Sequence, residues 1–265
     1  MSTYETIKLN RDARGVAKLV LSRPQKHNAL NATMIGELRH ATAALAIDAS
    51  VRVVVLAAEG KSFCAGGDLV WMREQAEKDR AGRMADAIEL ASMLRDLDSL
   101  PKPLIARVQG SAYGGGIGLM AVCDTVVASV TATFALTEVR LGLIPAAIGP
   151  YVVRRLGEGM ARPYVLSGKT FDADQARTMG LVSLVSIEDA VDSAVEAEIA
   201  EYLACAPGAI ADAKALCQHL ARNPGSDQLS WTAERLANRW ETFEAQDGIR
   251  SFLAREKPSW TKAPH

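Results

Sequence analysis

Val108-Gln-Gly-Ser-Ala-Tyr-Gly-Gly-Gly-Ile-Gly-Leu-Met-Ala-Val-Cys-Asp124 is the stretch from which the rest of the chain is read. Pro103 to Val108 has the apolar character of a buried strand, and Ile117 to Val122 that of a short buried helix. Between them stand three adjacent glycines, Gly114 to Gly116. Glycine lets a backbone approach a ligand closely, and a helix start offers unpaired N–H groups and a partial positive charge. Such a turn can hold an anionic oxygen, and it can equally serve only to seat a helix closely on a sheet.

Working outward, Val51 to Ala58 reads as a continuous apolar strand of the kind buried on both faces. It runs into a second glycine turn, Glu59-Gly-Lys-Ser-Phe-Cys-Ala-Gly-Gly-Asp68, and then a helix from Leu69. Upstream, Glu5 to Asn10 and Val16 to Leu21 form a hairpin about a polar turn, and Thr33 caps a helix running to Ile47. A long helical pattern covers Asp79 to Ser99 and stops at Pro101 and Pro103. Thr125 to Ser129 is a further short strand, while Phe134 to Leu143 has no clear period. The remainder is helical over 150–156, 160–166, 172–179, 188–203, 207–220, 229–245 and 248–255, with a strand at Leu181 to Val185. Repetition of strand, glycine turn and helix gives an α/β core whose turns gather along one sheet edge, where such folds bind ligands.

With 265 residues, 49% hydrophobic and 23% charged, the chain has an ordinary globular composition. A net charge of −1 gives no electrostatic footprint for nucleic acid. Cys64, Cys123, Cys205 and Cys217 form no CxxC pair and imply no disulfide framework. No apolar run approaches the roughly 20 residues that cross a bilayer, and the expected location is cytoplasmic. The dinucleotide fingerprint G-x-G-x-x-G, the full phosphate loop G-x-x-x-x-G-K-[ST] and the G-x-S-x-G elbow are all missing. Four scattered histidines, His27, His40, His219 and His265, build no metal cluster.

Two glycine turns and one acid remain. If one N–H from each turn converges on a single oxygen, the pair is an oxyanion hole able to stabilise a thioester enolate. Glu138, set among Leu136 and Leu141, is placed where desolvation would raise its pKa toward that of an acid/base. It could instead be a half-buried ion-pair partner of Arg140 or Arg154. Cys64 beside the turn has no histidine placed to activate it, and Trp71 and Met72 suit either an acyl pocket or the core.

Phe63-Cys-Ala-Gly-Gly-Asp-Leu69, then Val108 to Leu119 with Cys123-Asp124, then Leu136-Thr-Glu-Val-Arg-Leu-Gly-Leu-Ile-Pro145 are similar to the successive signatures of the crotonase family, the enoyl-CoA hydratases and isomerases. The likeness extends from Arg23-Pro-Gln-Lys-His-Asn-Ala-Leu30 to Gly248-Ile-Arg-Ser-Phe-Leu253. It implies an α/β crotonase-like ββα spiral over residues 1–200 and a C-terminal helical region, 201–265, for trimerisation and closure of the CoA site. The amides of Gly67 and Gly115 would form the oxyanion hole, with Glu138 as the acid/base. Lys26, Ala29, Ala65, Asp68, Leu69 and Gly118 would line the path of the CoA thioester, and Phe252 and Arg255 would reach it from a neighbouring subunit. Lys26 and Arg255 would supply local positive charge. The implied ligand is an acyl-CoA, with no separate cofactor, no metal, no nucleic-acid or membrane partner, and a homotrimer or dimer of trimers.

One departure matters. Two-acid hydratases of this family carry a glutamate two residues after the third glycine, where this chain has Gly118; Glu138 matches the second. Ala146 stands where dienoyl-CoA isomerases place an aspartate. Leu69-Val-Trp-Met-Arg73 and Leu143 to Arg154 resemble bacterial methylglutaconyl-CoA hydratases, which implies hydration of a short branched 2-enoyl-CoA in leucine or fatty acid breakdown. The alternatives are a Δ3,Δ2-enoyl-CoA isomerase using Glu138 alone and a CoA-binding protein without turnover.

Overall fold

The computed structural model describes residues 4–225 and 227–261. β1 (Ile7–Arg11) and β2 (Val16–Leu21) pair as the expected antiparallel hairpin, with Ile7 opposite Leu21. The Asp12 side chain closes its turn by accepting the amides of Arg14 (2.9 Å) and Val16 (3.0 Å). α1 (Ala32–Ile47) follows, then β3 (Val53–Ala58), α2 (Leu69–Glu77), α3 (Arg80–Asp98) and β4 (Leu104–Val108). The chain continues through β5 (Ala112–Tyr113), α4 (Gly115–Ala121), β6 (Thr125–Ser129) and β7 (Thr133–Ala135). α5 (Gly149–Leu156), α6 (Glu158–Ser167), β8 (Phe171–Asp172), α7 (Ala173–Thr178) and β9 (Leu184–Ser186) complete the body. α8 (Val191–Ala204), α9 (Pro207–Arg222), α10 (Leu229–Trp240) and α11 (Phe243–Ala254) form the helical end of the chain.

Six strands make the main sheet, in the order β1-β2-β3-β4-β6-β9, parallel from β2 onward. β3 is buried at every position. Val54, Leu56 and Ala58 join the core built with α1, α3 and α4, whereas Val53, Val55 and Ala57 face Val191, Val195 and Ile199 of α8. A strand covered on both faces gains nothing from alternation, and its unbroken apolar run has that cause.

Several boundaries move. α1 is capped by Asn31, whose side-chain oxygen accepts the Met34 amide (3.0 Å), and Thr33 lies inside the helix. α4 starts at Gly115, two residues before the expected Ile117, which puts the Gly115 amide in the first turn. The run 229–245 is two helices, because Thr242 accepts the Ala245 amide (3.2 Å) and begins α11 there. β9 lies further along than expected; Leu181 and Val182 are core residues outside the strand. A second sheet, β5-β7-β8, forms from part of the segment without a clear period.

α9 is fastened to the body by ion pairs. Asp98, 3% exposed at the end of α3, accepts from Arg154, from Arg222 (3.0 Å) and, through its carbonyl, from Gln218 (2.5 Å). Lys214 pairs with Asp124 (2.8 Å).

Candidate active site

The two glycine turns are sewn to each other. Phe63 N–H donates to the Ser111 carbonyl (3.0 Å) and Tyr113 N–H to the Cys64 carbonyl (2.9 Å). Gly116 has to be glycine, because a Cβ there would run into the Cys64 carbonyl and stand 3.0 Å from Cys64 Cβ. On the other side the first turn is held by the 23–30 loop. Leu30 N–H donates to the Gly66 carbonyl (2.7 Å), Ala65 N–H to the His27 carbonyl (3.0 Å), and Asp68 N–H to the Leu30 carbonyl (2.9 Å).

After this pairing, the amides of Gly67 and Gly115 have no acceptor among the described residues. Gly115 is the first residue of α4, so its N–H is one of those a helix leaves unpaired. Both glycines line one cavity of about 370 Å³.

The small sheet delivers the acid to the same place. Ala112 pairs with Phe134 and Tyr113 with Ala135, and Gly114 N–H donates to the Ala135 carbonyl (3.0 Å). Three residues on, Glu138 begins a 3₁₀ turn, Glu138–Leu141. Its carboxyl lies against Gly114, where a Cβ would be 2.9 Å from Oε1; Gly114 also has φ of 47°, a conformation that suits glycine.

Glu138 Oε2 is buried with no hydrogen-bond partner among the described residues, and burial pushes its pKa above the ordinary glutamate value. The two cations proposed as its ion-pair partners do not take it: Arg154 holds Asp98, and Arg140 packs on Gly168. Among the described residues, Glu138 is the one ionisable side chain lining the cavity.

The rest of the wall is mostly hydrocarbon, chiefly Leu30, Leu69, Met72, Leu143, Ile144 and Ile148, with Trp71 and Thr137 among them. Leu141, Leu143 and Ile144, 61%, 54% and 74% exposed, form an apolar lip. Gly118 does not line the cavity. A Cβ on it would overlap Ile148 Cγ2 and sit 3.0 Å from Ile148 Cβ, so an isoleucine covers the position where a second acid would project. A single sequence carries no sign of this pairing of residues thirty apart.

Among the other expected ligand contacts, Ala65 and Leu69 line the cavity. Asp68 turns inward instead. It caps α2 by accepting the Val70 (2.8 Å) and Trp71 (3.4 Å) amides and pairs with Arg23 (2.8 Å). Burial opposes its charge, but the bonds from Arg23 and the two amides outweigh burial and lower its pKa. Ala29 is buried, its carbonyl accepting from Arg23 (2.6 Å). Lys26 is exposed in the 3₁₀ turn Pro24–Lys26. Phe252, 82% exposed, and Arg255 lie at the end of α11 and do not line this cavity within their own chain.

Cys64 is fully buried and its thiol is pushed up to about 12 by desolvation, which removes it as a nucleophile. Among the described residues no group of three His, Cys, Asp or Glu side chains could hold a metal, and no helix is long and apolar enough to cross a membrane.

Comparison with known proteins finds relatives over nearly the whole chain. Residues 11–263 match the model of the family described as enoyl-CoA hydratase/isomerase. The chain is 35% identical over 249 residues to the 2,3-dehydroadipyl-CoA hydratase of Escherichia coli, covering 92% of this chain and 94% of that one. It is similar to the crystal structure of an enoyl-CoA hydratase from Shewanella pealeana, with 38% identity, TM-score 0.93 and coverage of 97% and 96%. Pseudomonas aeruginosa AtuE is 36% identical with TM-score 0.92, over 97% of this chain and 100% of that one.

Proposed function

The chain belongs to the enoyl-CoA hydratase/isomerase family, and from that premise we propose that it adds water to, or removes it from, a short branched 2-enoyl-CoA. The observation that carries the proposal is the meeting, in one apolar cavity, of two unpaired amides and a single carboxyl whose pKa burial raises.

In this reading the thioester oxygen accepts hydrogen bonds from the Gly67 and Gly115 amides. As the enolate forms, charge gathers on that oxygen, and each donor is worth roughly 3 kcal/mol to the transition state. Glu138 takes a proton from the adding water and returns it to the α-carbon, acid and base in turn. A raised pKa suits both halves of that exchange. The branched acyl class is supported by the likeness of 69–73 and 143–154 to methylglutaconyl-CoA hydratases, and a role in leucine or fatty acid breakdown, in the cytoplasm, belongs to the same proposal. The reaction calls for no group beyond the CoA of its substrate. Residues 1–200 would carry the chemistry and 201–265 the assembly of a trimer or dimer of trimers, in which exposed Phe252 and Arg255 reach a neighbour's CoA.

One observation favours a second reading. With Ile148 over Gly118, no second acid holds a water, and Glu138 alone suffices to move a proton between the α- and γ-carbons of a 3-enoyl-CoA. Ultraviolet absorption of the conjugated thioester separates the two. Hydration bleaches a 2-enoyl-CoA panel, whereas isomerisation creates the absorption from a 3-enoyl-CoA. No bleaching across the panel, with conversion of the 3-enoyl-CoA, would overturn the hydratase reading.

A further inference from the structure

The Gly67 N–H and the Gly66 carbonyl belong to one peptide unit, and in a trans peptide the two point opposite ways. Glycine stands on both sides of that unit, with Gly66 at φ of 91°, so no Cβ resists its turning over. Something else has to aim the donor. The seam to Ser111 and Tyr113 sets the spacing of the two turns but does not touch this peptide. Leu30 does. Its N–H donates to the Gly66 carbonyl (2.7 Å), its carbonyl accepts the Asp68 N–H (2.9 Å), and its Cδ1 lies 2.8 Å from where a Cβ would stand on Gly115.

Leu30 is itself held from two residues upstream. Asn28 is 0% exposed and has φ of 53°, a left-handed conformation that asparagine accepts more readily than most side chains. Its Nδ2 donates to the Glu59 carbonyl (2.8 Å) and the Ser62 carbonyl (2.9 Å), and its Oδ1 accepts the Arg23 amide (2.9 Å). The side chain therefore ties the 23–30 loop to the start of the same turn that ends in Gly67. Aspartate would match its shape but bring acceptors where two carbonyls need donors, and glycine would match the backbone but leave both carbonyls without this donor.

We infer that Asn28 is a positioning residue for the proposed oxyanion hole. It holds the 23–30 loop where the Leu30 N–H keeps the Gly66 carbonyl turned toward that loop, and so keeps the Gly67 N–H aimed at the thioester oxygen. The inference rests on the Gly67 amide meeting that oxygen, as the proposed function requires, but not on which reaction follows.

A bound carbonyl tests it without turnover. Hexanoyl-CoA cannot be hydrated, and isotope labelling of its thioester carbon isolates the carbonyl stretch in difference infrared spectra, where hydrogen bonding lowers the frequency. Wild-type protein should lower it on binding. Asn28→Gly and Asn28→Asp should each lose most of that shift, and kcat on a 2-enoyl-CoA or 3-enoyl-CoA, whichever the wild type turns over, should fall about 10²-fold with KM little changed. Leu45→Ala, which empties part of the core under the far end of α1, should lose stability yet keep the wild-type band and kcat. An unshifted band in the wild type would sink the oxyanion reading and this inference with it. A wild-type band in the Asn28 variants, or equal displacement of the band by Leu45→Ala, would overturn this inference alone. Failure of both Asn28 variants to fold would do the same, since Asn28 would then serve the fold and not the aim of one amide.

Discussion

Replacing Gly118 with alanine tests how the cavity is built. The added methyl would overlap Ile148 Cγ2, stand 3.0 Å from Ile148 Cβ and 3.6 Å from Leu94 Cδ1, where apolar carbons attract at roughly 3.5–4 Å. Ile148 is 2% exposed and lines the cavity, so its ready retreat is into the space proposed for the acyl chain. Overpacking of this kind costs about 1–3 kcal/mol. Ile148→Ala alone leaves a hole and costs about 2–5 kcal/mol. If the two side chains compete for one volume, the double variant is more stable than the sum of the two losses predicts, by at least ~1 kcal/mol. Urea unfolding of the four proteins at one concentration, followed by tryptophan fluorescence, measures the cycle. The same variants should report on the site: Gly118→Ala raises KM for a branched 2-enoyl-CoA, and Ile148→Ala in the same chain restores it. Losses that add to within about 0.5 kcal/mol would refute the seating of Ile148 on Gly118.

Glu138→Gln should lower kcat by about 10²–10⁴, measured by loss of conjugated-thioester absorption. The same variant has a stability signature. Because burial raises the Glu138 pKa above its ordinary 4.5, the folded state holds the proton longer than the unfolded state, and stability falls as pH rises through that window. Glutamine removes this loss, so the variant should gain on the wild type at neutral pH and not at a pH below 4.5, as thermal melts would show. Asp68→Ala breaks a pair whose side chains are 7% and 14% exposed and should cost about 3–5 kcal/mol in urea unfolding. Asp68 has a lowered pKa, so its contribution is present above the ordinary 3.8 and lost as pH falls; the variant's acid limb should be flatter. Finally, Cys64 and Cys123, both buried with thiols pushed up to about 12, should resist a maleimide at mildly alkaline pH until urea unfolds the chain, which mass spectrometry reads.

What could be read from the sequence was the part that backbone chemistry dictates. Gly66, Gly114 and Gly116 are glycine because the Tyr113 and Cys64 carbonyls and the Glu138 carboxyl press on them, and Gly115 because the Leu30 side chain does; that need shows in one dimension. β3 was equally plain, since burial on two faces leaves an unbroken apolar run. Choices between near-equals were not: Asn31 and Thr33 can both cap a helix, and only the reach of the Asn31 side chain to the Met34 amide decides. β5 and β7 have two and three residues, too short for any period, although their register carries Glu138 to Gly114. Asp68 reads as a ligand contact by its place in a motif, yet a helix cap and Arg23 claim it. The covering of Gly118 by Ile148 depends on two side chains that only the fold brings together.

The seam between the two glycine turns also bears on how such a protein can change. Phe63, Cys64, Ser111 and Tyr113 fix the spacing of the donor amides through main-chain bonds alone, so it does not depend on side-chain identity. The wall proposed to meet the acyl chain comes mostly from other segments, α2 and residues 141–148. Inherited substitutions can therefore redraw substrate range while the reacting geometry passes unaltered from ancestor to descendant. Drift at Trp71, Leu143 or Ile148 would diversify such a lineage, whereas drift at Gly114 or Gly116 would extinguish it.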